Sequence, residues 1–88
     1  MNQSNRMALY KLIWCRIRFW QNMQDISDQE LAYSLQVGKR TLRDYDRNAK
    51  NITLEKLDHF LCVNSLELKD LVTIHTPIQD KKRIKIAK

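Results

Sequence analysis

Between Lys39 and Lys50 the chain gathers side chains that can bind charge. Within residues 37–50, Lys39, Arg40, Arg43, Arg47 and Lys50 are opposed only by Asp44 and Asp46, a local balance of +3. Thr41 and Asn48 add neutral hydrogen-bonding groups to the same stretch. Such a cluster suits an anionic partner. Nothing comparable is arranged for catalysis. Glu55, Asp58, Glu67 and Asp70 are dispersed, no two of them form a recognisable acid/base pair, and no pattern sets a nucleophile beside His59 or His75. His59 and Cys62 have a workable spacing for zinc, but no second close pair of ligands follows. A single Gly excludes Gly-rich phosphate loops and dinucleotide fingerprints. The chain is not read as an enzyme, and no metal or cofactor is implied.

These residues need elements to position them, and the apolar periodicity is helical throughout. A first helix is expected over about 6–23, with Leu9, Ile13, Ile17 and Trp20 on one face. A second strip, Ala8, Leu12, Cys15, Phe19 and Met23, runs beside it, with Arg16 at the seam and Lys11, Arg18 and Asn22 as the polar wedge. One small domain needs a single buried stripe per helix. The second strip is therefore either core covered by the chain's own tail or a contact surface for another subunit.

Ser27 with Glu30 three residues on matches a capping box, opening a second helix over 28–36 that buries Leu31, Ala32 and Leu35. After a break at Val37-Gly38, residues 39–47 form a third helix whose apolar contacts are only Leu42 and Tyr45. Asn48 is the expected left-handed stop. Thr53 caps a fourth helix over 54–63, with Leu54, Leu57, Phe60 and Leu61 inward. Ser65 caps a fifth over 66–74, with Leu68, Leu71 and Val72 inward, and Thr76-Pro77 ends it.

Length and composition agree with that plan. The chain has 88 residues, 43% hydrophobic and 30% charged, so it forms one small globular domain, placed at 1–76, rather than two. One Gly and one Pro leave little turn chemistry for a strand-rich fold. Of the net charge of +6, the tail 77–88 carries +4, through Lys81, Lys82, Arg83, Lys85 and Lys88 against Asp80. That tail is read as flexible and attractive to phosphates, with Arg83-Ile84-Lys85-Ile86 as an alternative short strand docking on a partner subunit. No apolar run reaches membrane-spanning length, and Lys11, Arg16 and Arg18 interrupt the one stretch that resembles a signal peptide. Cys15 and Cys62 read as small buried hydrophobes in a reducing cytosol, which makes the expected location cytoplasmic.

The sparse burial of the third helix leaves Lys39, Arg40, Thr41, Arg43 and Asp44 free to project outward, as a helix entering a DNA major groove must. Here the sequence resembles the helix-turn-helix domains of the phage repressor and Cro type. The resemblance covers about residues 17–72. It rests on Ser27-Asp28-Gln29-Glu30-Leu31-Ala32 and Leu35-Gln36-Val37-Gly38-Lys39-Arg40-Thr41-Leu42. It continues through Tyr45-Asp46-Arg47-Asn48, Ile52-Thr53-Leu54-Glu55-Lys56-Leu57 and Leu66-Glu67-Leu68-Lys69-Asp70-Leu71.

The resemblance implies an all-α, five-helix, repressor-like domain with an extended first helix and a basic C-terminal tail. It also implies binding to double-stranded DNA, usually as a homodimer. By position, Lys39, Arg40 and Asp44 fall where the family reads base edges. Thr41 and Arg43 flank them, Arg47, Asn48 and Lys50 lie in the loop that approaches the phosphate backbone, and Gln29 is a further phosphate candidate. Leu12, Cys15 and Phe19 are candidate dimer contacts, alongside the fifth helix. Three departures stand out. Asp28 replaces a Gln that contacts a phosphate, and a carboxylate there is expected to repel the backbone. Gln36 replaces the turn Gly. The usual Arg–Glu pair between helices one and three becomes Gln21 and Asp46, leaving Asp46 to pair with Arg43 or Arg47. The competing reading is a protein–protein adaptor or antitoxin-like module that keeps the fold without strong DNA binding.

Overall fold

The computed structural model describes residues 7–72, and every regular element in that range is a helix. In chain order these are α1 (Leu9–Gln24), α2 (Asp28–Leu35), α3 (Lys39–Arg47), α4 (Leu54–Val63) and α5 (Leu68–Val72). The tail 77–88, its strand alternative and the Thr76-Pro77 stop lie outside the described residues.

Local chemistry accounts for most helix ends. Ser27 Oγ accepts from the Glu30 N–H at 3.1 Å while Glu30 Oε1 accepts from the Ser27 N–H, the reciprocal box that starts α2. Thr53 Oγ1 accepts from the Lys56 N–H to start α4. Three helices end on a left-handed residue, none of them glycine: Asp25 (φ 57°), Gln36 (φ 59°) and Ser65 (φ 56°). In each case the next N–H reaches back to a carbonyl five residues earlier: Ile26 to Gln21, Val37 to Ala32, and Leu66 to Leu61. This satisfies carbonyls that the helix leaves open.

Two expectations about helix ends are corrected. Asn48 is not a left-handed stop. It is extended (φ −163°), and its side chain accepts from the Lys50 N–H while the chain runs on to bury Ala49. Ser65 does not cap α5. It closes α4, and α5 begins at Leu68, where Asp70 Oδ2 accepts from the Glu67 N–H.

The core is a single cluster of Ile13, Trp14 and Ile17 from α1, Leu31, Ala32 and Leu35 from α2, and Leu42 and Tyr45 from α3. Ala49, Phe60 and Leu71 complete it. α2 packs against both α3 and α4, and α1 against α5. Trp20 stands edge-on to Phe60 with ring centroids 5.2 Å apart, a favoured aromatic arrangement.

Several residues expected inside are not. Leu9 is 65% exposed, Leu54 82% and Leu68 54%, and Val72 is also exposed. Each of the three leucines is the first residue of its helix, where the chain has not yet turned onto the core. Cys15 and Cys62 are both exposed thiols rather than buried ones. On the second strip of α1, Ala8, Leu12 and Phe19 are half-buried and Met23 is exposed. Leu12 and Phe19 are therefore partly open to solvent and Cys15 exposed. No described helix is long and apolar enough to cross a membrane.

Candidate nucleic-acid interface

Only Leu42 and Tyr45 anchor α3 in the core. That two-point attachment turns the rest of the helix outward. Lys39, Arg40, Arg43, Asp44 and Arg47 are exposed, Thr41 is half-buried, and Asn48 and Lys50 continue the exposed surface past the helix end. Gln29 is exposed on the first turn of α2. Among the described residues, no hydrogen bond or ion pair engages Lys39, Arg40 or Arg43. Asp44 does have a partner: its Oδ1 accepts from Arg47 Nη2 at 2.7 Å, an exposed pair one turn apart.

The turn between α2 and α3 is held from α4. Lys56 Nζ donates to the Gln36 carbonyl at 3.2 Å, and the His59 Nδ1–H donates to the Ser34 carbonyl at 2.7 Å. α2 has no basic residue in its own last turn, so α4 supplies the donors that its closing carbonyls need. His59 is half-buried at this contact. Neither Lys56 nor His59 is marked in the sequence by a local motif, since their acceptors lie on another helix.

The largest correction concerns Asp28 and Asp46. Asp46 does not turn to Arg43 or Arg47. Arg18 grips it with two nitrogens, Nε to Oδ1 at 3.1 Å and Nη2 to Oδ2 at 2.8 Å, and the Trp14 indole N–H adds a third bond at 2.8 Å. The same guanidinium reaches Asp28 through Nη1 at 2.8 Å, and that nitrogen also donates to Gln21 Oε1 at 2.7 Å. Gln21 Nε2 in turn donates to Asp28 Oδ1 and to the Ile26 carbonyl. The charge-assisted link between α1 and α3 is thus kept, with Arg18 as its cation, and extended to the start of α2.

Asp28 is not an unpaired carboxylate. Gln21 donating to it, then Arg18, hold its carboxyl below the ordinary Asp range, with smaller help from the charges of Arg18 and Arg43. Asp46 is held low first by its hydrogen bond from Arg18 and also by Trp14, against the opposing effect of burial. The guanidinium of Arg18 also lies 5.5 Å from the centre of the Trp14 ring, a cation–π distance. Its four partners, Trp14, Gln21, Asp28 and Asp46, come from three helices.

No family model, curated protein or solved structure matches the chain. The functional reading therefore rests on the geometry above. No group of three or more His, Cys, Asp or Glu side chains that could hold a metal occurs among the described residues. What the surface offers chemically is a short helix with free ammonium and guanidinium groups at one end. Two acids that share the Arg18 guanidinium, Asp28 and Asp46, lie behind it, and Arg47 at the helix end and Lys50 in the following loop add two more cations.

Proposed function

We propose that this protein binds double-stranded DNA in a sequence-specific manner and regulates transcription, as the phage repressor and Cro type of helix-turn-helix domain does. The observation that carries the reading is the state of α3: Lys39, Arg40 and Arg43 are exposed and make no hydrogen bond or ion pair among the described residues, on a helix that buries only Leu42 and Tyr45. Lys39 and Arg40 are suited to guanine O6 and N7, and Asp44, once turned from Arg47, to cytosine N4. Thr41 and Arg43 flank them, while Gln29, Arg47, Asn48 and Lys50 contact phosphates. As a dimer meeting through Leu12, Cys15 and Phe19, the protein places two copies of α3 about 34 Å apart on a pseudo-palindromic operator.

Selection of bound duplexes from a random pool at near-physiological salt tests this directly. An enriched motif with two-fold symmetry is the expected result. Binding only at low salt, without a motif, overturns sequence-specific recognition.

A second reading, a protein–protein adaptor, draws on an open groove of about 750 Å3 between α2 and the end of α4, where exposed Tyr33 and Val63 flank Ile26. A protein partner that raises the melting temperature where duplex DNA does not is the result that favours it.

A further inference from the structure

Every acid on or beside α3 has an arginine, and the pairing is uneven. Asp44 has folded onto Arg47, three residues along the same helix, at 2.7 Å. Asp46 is also three residues from Arg43 on α3, with acid and base in the reverse order, and makes no such pair; Arg18 and Trp14 hold it from α1. Asp28, at the start of α2, is close enough to Arg43 for that charge to favour its ionised form, and it too is turned to α1 by Arg18 and Gln21. Arg43 thus acts on Asp28 through its charge, stands three residues from Asp46, and is bound by neither.

We propose that Arg18 is a positioning residue for DNA binding: by occupying Asp28 and Asp46 together, its guanidinium keeps Arg43 free for the duplex. This rests on the DNA-binding reading above. The geometry suits the role, because Arg18 is a rigid fork that spans two acids on different helices and is itself mostly withdrawn from the surface. Remove it, and Asp28, which already feels the charge of Arg43, and Asp46, three residues from Arg43 on α3, both lose their cation, and Arg43 becomes engaged in the manner of Arg47.

The test is a double-mutant cycle between Arg18→Met and Arg43→Gln, read as duplex affinity and its salt dependence, using the selected operator. Arg43→Gln in the wild-type background should weaken binding on the order of tenfold and lower the number of ions released by roughly one. In the Arg18→Met background it should change either quantity little, because Arg43 is already taken. Arg18→Lys keeps the charge but cannot bridge both carboxylates, and its affinity should fall between the two. Asp28→Asn with Asp46→Asn in the Arg18→Met background should restore the cost of losing Arg43.

Additive effects of the two arginine changes overturn the proposal, since they describe an Arg18 that acts only through fold stability or overall charge. If Arg18→Met does not fold, the Arg18→Lys cycle decides on the same criterion. Wild-type protein that binds no duplex overturns the DNA reading and this inference with it, whereas operator binding with additive effects overturns the inference alone.

Discussion

Trp14 donates its indole N–H to Asp46 Oδ1 across 2.8 Å, while its ring stands edge-on to Tyr45 with centroids 5.1 Å apart. One side chain of α1 therefore touches α3 by a polar and an apolar contact at once. Trp14→Phe keeps an aromatic ring but loses the donor. It should lower stability by about 1 kcal/mol, as for a hydrogen bond to a partly exposed carboxylate, measured by urea unfolding. A larger loss on Asp46→Ala than on Trp14→Phe is also expected, because Asp46 answers to Arg18 as well.

Arg40→Ala tests recognition apart from folding. Arg40 is exposed and makes no described contact, so the melting temperature should stay put. Specific binding should weaken by roughly 1–3 kcal/mol and selectivity should relax at one base position. An unchanged base preference at every operator position would remove Arg40 from the base-reading set.

Acid should loosen the α1–α2–α3 junction. Asp28 and Asp46 both ionise more readily in the folded protein than an ordinary Asp, through Gln21 and Arg18 for the first and chiefly Arg18 for the second. A depressed folded pKa gives stability that is complete above the unfolded value, about 3.9, and is lost as pH falls through the lower folded value. The contribution of this pair should therefore be constant from about pH 5 to 7 and fade below about pH 4. Unfolding midpoints of wild type and Asp28→Asn/Asp46→Asn should converge in acid. A gap that persists unchanged into acid would show that carboxylate charge is not what the pair contributes.

Two leucines separate burial from hydrophobicity. Leu42 is fully buried and Leu54 is 82% exposed. Leu42→Ala should cost about 3–5 kcal/mol by loss of transfer energy plus a residual cavity, whereas Leu54→Ala should fall within about 0.5 kcal/mol of wild type. Thermal unfolding of the two variants measures both.

Ser27→Ala removes one half of the box that opens α2. A loss of about 1 kcal/mol is expected, visible in urea unfolding and shared by Glu30→Ala to a smaller extent.

The contrast between those leucines also marks what the sequence carries. Ser27 with Glu30, and Thr53 ahead of Leu54, are local signals, and the helices they start begin where such signals put them. The sparse burial of α3 was equally legible, because Leu42 and Tyr45 are its only large apolar residues. Periodicity assigns a residue to a face but not to a neighbour, so Leu9, Leu54 and Leu68, each on the apolar side of a wheel, were placed inward although they open their helices in solvent. The Arg18 junction was beyond reach for a related reason. Arg18 lies ten residues from Asp28 and 28 from Asp46, and no local pattern encodes a bond that exists only once three helices have met. Without it, Asp28 read as an unpaired carboxylate and Asp46 as free to pair along α3, whereas both are held by Arg18.

The turn between α2 and α3 has its residues in an unexpected order. Gln36 sits at φ 59°, where a side chain is strained, while the one glycine of the chain, Gly38, sits at an ordinary φ of −86° with open space where a Cβ would go. The backbone freedom of glycine is thus placed two residues from where the geometry calls for it. Exchanging the roles, with Gln36→Gly to relieve the left-handed residue and Gly38→Ser to give α3 a capping hydroxyl, should raise stability by about 1–2 kcal/mol. The protein as it stands keeps that much unused headroom at the hinge of its proposed reading unit, so its thermal tolerance can be increased without altering a single side chain proposed to contact DNA.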